Sequence, residues 1–229
     1  MPEPRRPPPS CEAELRVRAE ALAGHALGEI ADALGWRGEG AGAHAKGKIG
    51  DLLERALGAT GGSGATHDFP DLGIELKSVP VDEAGLPRES TYVCTLPFAE
   101  IDAADWATSW VKRKLARVLW LPVVTGDLAE WRSRRVGTPL LWSPTPAQEA
   151  VLRADFEDAV GLIGAGGIEE VTAHAGRWLQ VRPKAADSRA RAVAWGPEGE
   201  PVAAVPRGFY LRRRFTAAIL RDPAARPGE

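Results

Sequence analysis

Apolar residues recur along the chain with two different periods. From Cys11 to about Leu34 the spacing is helical, with Leu15, Ala19 and Leu22 on one face, and Gly24 predicts a break into two helices. In KIGDLLERALG, residues Ile49, Leu52, Leu53, Ala56 and Leu57 form the stripe of an amphipathic helix, with Gly58 placed to cap it. GIELKSVPV and TYVCTLP alternate in strand fashion, and the Asp-Glu-Ala-Gly segment between them predicts a hairpin. TSWVKRK predicts a short helix leading into RVLWLPVV, an apolar run that suits a strand buried on both faces. TPAQEAVLRADFEDAVGLI is a further amphipathic helix, RWLQVRP and RGFYLRRRF are short strands with basic margins, and a last helix covers about Thr216 to Leu220. The Gly-rich stretches GWRGEGAGAHAKG and GGSGATHDFPD read as loops. Helices interspersed with strands, and at least one antiparallel pair, predict a mixed α/β domain rather than a doubly wound parallel one.

The 229 residues suffice for a substantial core, as one large domain or two small ones. Residues 1–10, MPEPRRPPPS, are Pro-rich with no apolar run behind them, which predicts a disordered leader rather than a signal peptide. No stretch approaches the ~20 apolar residues of a membrane span, so a soluble, cytoplasmic protein is expected. Cys11 and Cys94 are far apart and His25, His44, His67 and His174 are scattered, which argues against a disulfide framework or a zinc knuckle.

Net charge is only −2, but the charge is segregated. Trp110–Trp120 holds Lys112, Arg113, Lys114 and Arg117 and no acid. Arg177–Arg214 holds nine basic and three acidic residues, interleaved with Trp178, Phe209 and Tyr210. Such a distribution fits a face turned toward DNA, although solvated surface charge produces similar runs. Arg182 has the chemistry to read guanine O6 and N7, Lys184 to hold a phosphate, and Tyr210 to meet a base edge or serve the core.

The candidate chemistry lies in HDFPDLGIELKS. Strand alternation turns Ile74 and Leu76 one way and Glu75 and Lys77 the other, while Asp68 precedes the strand on a chain able to fold back beside Glu75. Two carboxylates with an ammonium suit metal-assisted phosphodiester hydrolysis: oxygen ligands hold Mg²⁺, and the lysine offsets charge on the phosphate. A charged face on an ordinary exposed strand fits the same spacing. Glu54, on the polar side of the preceding helix, is a further candidate acid. GAHAKGKI nearly matches a P-loop, but Ile49 stands where a hydroxyl is required and no strand precedes it, so a nucleotide-hydrolase reading is rejected.

Taken together, KGKIGDLLERALGA, HDFPDLGIELKSVPVD, KLARVLWLPV, RRVGTPLLWSP, LQVRPKAA and PRGFYLRRRFT resemble the MutH family of mismatch-repair endonucleases, over about Leu15 to Leu220. The resemblance implies a restriction-endonuclease-like fold, a mixed sheet flanked by helices, with two lobes forming a DNA-binding cleft. It implies a single endonuclease domain over 11–222 and a flexible tail over 223–229. It implies nicking of the unmethylated strand of hemimethylated GATC, 5′ to the G, with Mg²⁺, activated by MutL after MutS finds a mismatch, by a monomer. Carried over by motif, Asp68, Glu75 and Glu54 hold the metal, and Lys77 and Lys114 complete the catalytic set. Lys46, Arg182, Pro183 and Lys184 match DNA-contacting positions, and Tyr210 matches the aromatic that senses adenine N6. Lys48 stands where the family pattern leads one to expect an aromatic residue. A GATC-specific restriction endonuclease and a catalytically silent DNA-binding or MutL-interacting protein are the alternatives.

Overall fold

The computed structural model describes residues 6–37, 45–61, 66–126, 130–168, 170–171, 175–184, 191–196 and 198–225. The first half of the chain runs α1 (Glu12–Glu20), α2 (Leu27–Leu34), α3 (Ala45–Leu57), β1 (Glu75–Val81), β2 (Thr91–Thr95), α4 (Trp110–Ala116) and β3 (Val118–Val124). The second half runs β4 (Arg135–Val136), β5 (Leu140–Trp142), α5 (Pro146–Gly164), β6 (Leu179–Pro183), β7 (Ala192–Trp195), β8 (Pro201–Ala204), β9 (Arg207–Leu211) and α6 (Arg213–Arg221). Two compact units divide these elements: Met1–Arg88 with Arg117–Ser143, and Glu89–Ala116 with Pro144–Glu229.

The first unit is built on a mixed sheet. The apolar run of β3 is its spine, pairing parallel with β1 and antiparallel with β4 and β5. Leu119, Leu121 and Val123 of β3 join Ile74 and Leu76 in a core closed by Leu15, Leu27, Leu52, Leu53 and Leu57 from the three helices. The expected stripe of α3 is therefore its buried face, and the break at Gly24 and the left-handed cap at Gly58 are both present. The described part of the expected disordered, Pro-rich leader, from Arg6 onward, makes hydrogen bonds to the rest of the first unit. Arg18 donates to the carbonyls of Pro7 and Leu57 at 2.6 and 3.0 Å, and Arg6 N–H donates to Arg55, so the Pro-rich segment is tied to the end of α3; residues 1–5 lie outside the described residues.

The second unit holds an antiparallel sheet in the order β2-β9-β6 and a separate β7–β8 ribbon. Its long helix α5 opens with a reciprocal cap between Thr145 and Gln148, with Pro146 at the first turn. Gln148 is fully buried, and its side-chain amide also donates to the carbonyls of Pro223 and Ala225, so the start of the expected flexible tail is held; residues 226–229 lie outside the described residues.

The expected β1–β2 hairpin does not form. β1 pairs with β3, whereas β2 pairs with β9 in the other unit. After β1 the chain turns at Asp82–Gly85 and makes one bridge, Val81 to Pro87. Proline supplies no N–H to extend that ladder, and the buried run of β3 offers β1 a better partner. The consecutive strands that do pair antiparallel, among the described residues, are β3 with β4 and β7 with β8. Among the described residues no helix is long and apolar enough to cross a membrane.

Candidate functional site

In the first unit, a tight return brings Asp68 to β1. The amides of Thr60 and Gly61 both donate to the Asp68 carbonyl, at 3.0 and 2.9 Å. A side chain at residue 61 would place its Cβ 1.9 Å from the His67 carbonyl, so only glycine admits this crossing. Phe69 and Ile74 then exchange backbone hydrogen bonds around a short turn at Pro70–Leu72. The Asp68 carboxylate completes the return by accepting the Leu76 amide at 2.7 Å. Asp68 is thus fastened to the strand one residue past Glu75.

Glu75 and Lys77 share a face of β1, as alternation predicts, but that face is not solvated. Val79 and Val81 on the same side are buried, and so are Val118 and Trp120, in register with Glu75 and Lys77 on β3. The side chains of Glu75 and Lys77 are only 3% and 12% exposed, and Lys77 Nζ donates to Glu75 Oε1 at 2.7 Å. A carboxylate out of water is costly unless an opposite charge and hydrogen bonds replace its hydration. Glu75 and Lys77 supply that charge to each other, which removes the ordinary-exposed-strand reading.

The remaining candidates are distributed as follows. Glu54 is half-buried on α3, which packs against β1. Among the described residues no group of three or more His, Cys, Asp or Glu side chains is placed to hold a metal ion by itself. The donor set still suits a hard divalent cation, because Mg²⁺ is ordinarily held by one or two carboxylates together with substrate phosphate rather than by an all-protein cage. Lys114 is half-buried on α4, in the second unit. Lys46 falls in α3, but its side chain lies outside the described residues, while Lys48 is half-buried on the same helix.

In the second unit, Arg182, Pro183, Lys184 and Tyr210 come together on β6 and β9. Gln180 is in register with Tyr210, and Arg182, Pro183 and Lys184 are exposed at the end of β6. The Arg182 guanidinium lies 5.9 Å from the Tyr210 ring centre and donates to the Ser90 hydroxyl at 3.3 Å. Lys184 Nζ sits 3.8 Å from the Tyr92 ring centre, donating to the Tyr92 hydroxyl and, at 3.3 Å, to Thr95. Tyr92 and Tyr210 meet edge to face at 5.3 Å. Burial pushes the Tyr210 phenol above its ordinary 10.0, with Tyr92 adding to the shift and Arg182 opposing it. Ser90, Tyr92 and Thr95 were invisible to sequence reasoning as members of this cluster, because only the long-range β2–β9 pairing brings them there.

Part of the basic charge expected to face DNA is occupied by the fold itself. Arg207 is buried and donates to the Val171 carbonyl at 2.7 Å. Arg212 and Arg214 donate to carbonyls of residues 175–177.

Residues 57–155 match the model of the DNA mismatch repair enzyme MutH. The chain is 47% identical to the DNA mismatch repair protein MutH of Serratia proteamaculans over 93% of this chain and 94% of that protein. It is 45% identical to MutH of Vibrio cholerae El Tor (94% and 98% covered) and 45% identical to MutH of Escherichia coli O6:K15:H31 (96% of each). These matches span both units, and the acids and lysine of the β1 site lie within the matched length. The chain belongs to the MutH family of DNA mismatch repair endonucleases.

Proposed function

We propose that this nuclease nicks the unmethylated strand of hemimethylated GATC, 5′ to the G, as a monomer in the cytoplasm, with Mg²⁺ as the divalent metal. The observation that carries the site assignment is the buried Glu75–Lys77 pair beside a carboxylate pinned to the Leu76 amide. Asp68 and Glu75 would hold the metal, with Glu54 supporting from α3. When bound, Mg²⁺ polarises the scissile phosphate and lowers the pKa of an attacking water. Lys77, held by Glu75, orients that water and offsets charge on the phosphate, and Lys114 assists as a second ammonium.

The single endonuclease domain over 11–222 divides this work between its two units. The first supplies the metal-holding acids. The second supplies Arg182, Pro183 and Lys184 for the DNA, with Lys46 contributing from α3 of the first. Tyr210 senses adenine N6, where a methyl group crowds the contact or removes a hydrogen bond. MutL activates the enzyme and MutS acts through it.

Nicking of a supercoiled plasmid carrying GATC, with and without Mg²⁺, tests the reading. Metal-dependent conversion to the open circle supports it, and DNA binding with no cleavage under any metal contradicts it.

A further inference from the structure

Asp155 lies in the middle of α5, 7% exposed, and takes no part in the chemistry above. Its carboxylate accepts three consecutive backbone amides: Arg177 at 2.6 Å, Trp178 at 2.6 Å and Leu179 at 2.8 Å. Converging amides of this kind make a nest that selects an anion. The chain enters the nest through Gly176, where φ is +78° and a Cβ would fall 1.9 Å from the Leu179 carbonyl. From the other side Arg212 donates to the carbonyls of Gly176 and Ala175, each at 2.9 Å, and its own amide donates to Trp178 at 2.7 Å. Arg214 holds the Arg177 carbonyl at 2.8 Å, and Trp178 stacks on Phe215 at 4.1 Å.

This turn is where β6 begins, and β6 carries Arg182, Pro183 and Lys184 at its far end. β6 is five residues long and, among the described residues, pairs only with β9, at the edge of the β2-β9-β6 sheet. Leu179 and Val181 turn one face of β6 into the core, and a one-residue slip would reverse that face and carry Arg182 with it, so the place where the strand starts decides where Arg182 points. We infer that Asp155 is a positioning residue for DNA recognition: with Arg212 it clamps the start of β6 and so fixes the register in which Arg182 and Lys184 meet the DNA. The inference rests on the reading of Arg182 and Lys184 as DNA contacts.

The test is steady-state nicking of a GATC duplex by Asp155→Asn, Arg212→Gln and Arg182→Ala, with a duplex changed at one base of the site as comparison. Asparagine keeps the shape of the side chain but turns an N–H donor toward amides that are themselves donors. Asp155→Asn and Arg212→Gln are each expected to raise KM for DNA about tenfold and to lower discrimination against the altered site, with kcat within about twofold of the parent. A purely stabilising role would instead reduce the active fraction, lowering apparent kcat at unchanged KM. That outcome, or unchanged KM and discrimination in both variants, overturns the inference. Should Asp155→Asn fail to fold, Arg212→Gln decides by the same criteria. If Arg182→Ala leaves KM and discrimination untouched, the DNA-contact reading itself falls and takes the clamp with it. If Arg182→Ala impairs them while the clamp variants do not, the clamp alone is wrong.

Discussion

Asp68 and Leu76 are joined by one hydrogen bond, 2.7 Å from the Leu76 amide to the Asp68 carboxylate. In the proposed reaction the same side chain has two duties: it fastens the chain at 68 to β1, and its charge would serve the metal. The two can be separated. Asp68→Asn keeps an oxygen acceptor for the Leu76 amide and removes the charge, whereas Asp68→Ala removes both. Nicking should be lost in both variants while DNA binding persists. Thermal or denaturant unfolding should show Asp68→Ala destabilised by about 1–3 kcal/mol and Asp68→Asn by clearly less.

The Glu75–Lys77 pair makes a second prediction. Lys77→Met leaves the Glu75 carboxylate buried without its ammonium, at a cost of about 3 kcal/mol, or a fall in Tm of roughly 6–12 °C for a chain of this size. Adding Glu75→Gln to that variant should restore much of the Tm, because no ion is then left in the buried face. Nicking should fall by at least about 10² in the single variant and should not return in the double one. Melting curves and a single-turnover nicking assay check the two halves separately.

Gly61 is predicted to be intolerant of any side chain, since the His67 carbonyl occupies the space a Cβ would need. Gly61→Ala must push the chain at 67–68 away and carry the Asp68 carboxylate with it. Reduced nicking together with a lowered Tm is the expected result. A variant with parental Tm and parental rate would show that the return has room to spare.

Much of this was legible in the sequence, for reasons that can be named. The stripe of α3 and the continuous apolar run of β3 are local patterns, and they give a mixed α/β domain; the restriction-endonuclease-like fold followed from the family resemblance. Glu75 and Lys77 are two residues apart on a strand, so their shared face follows from the pleat alone. What the sequence did not reveal depends on pairing across long separations. Nothing local sends Thr91–Thr95 to β9 in the second unit rather than back onto β1. Without that pairing Tyr92 could not be recognised as the partner of Tyr210 and Lys184. Nor does a basic count distinguish Arg182, exposed at a strand end, from Arg207, buried against Val171. Nor does the helical pattern of α5 mark Asp155 as the acid that accepts three backbone amides from residues 177–179.

Tyr210 carries a pH signature. Its phenol is held neutral above the ordinary 10.0, chiefly by burial. The folded state therefore resists ionisation more than the unfolded chain. The contribution to stability is constant below pH 10 and declines as pH rises from the unfolded value through the folded one. The chain has only two tyrosines, so in Tyr92→Phe the phenolate absorbance reports Tyr210 alone. Its titration midpoint should lie above 10.0, and Tyr210→Phe should lose the alkaline decline in stability attached to it.

The most direct measurement is single-strand mapping of cleavage on a duplex with one hemimethylated GATC, with purified protein, Mg²⁺ and MutL. The predicted result is a nick confined to the unmethylated strand, 5′ to the G, absent without the metal and absent in Lys77→Ala. Cleavage of both strands regardless of methylation would identify a restriction endonuclease, and binding without cleavage would contradict the catalytic assignment of Asp68, Glu75 and Lys77.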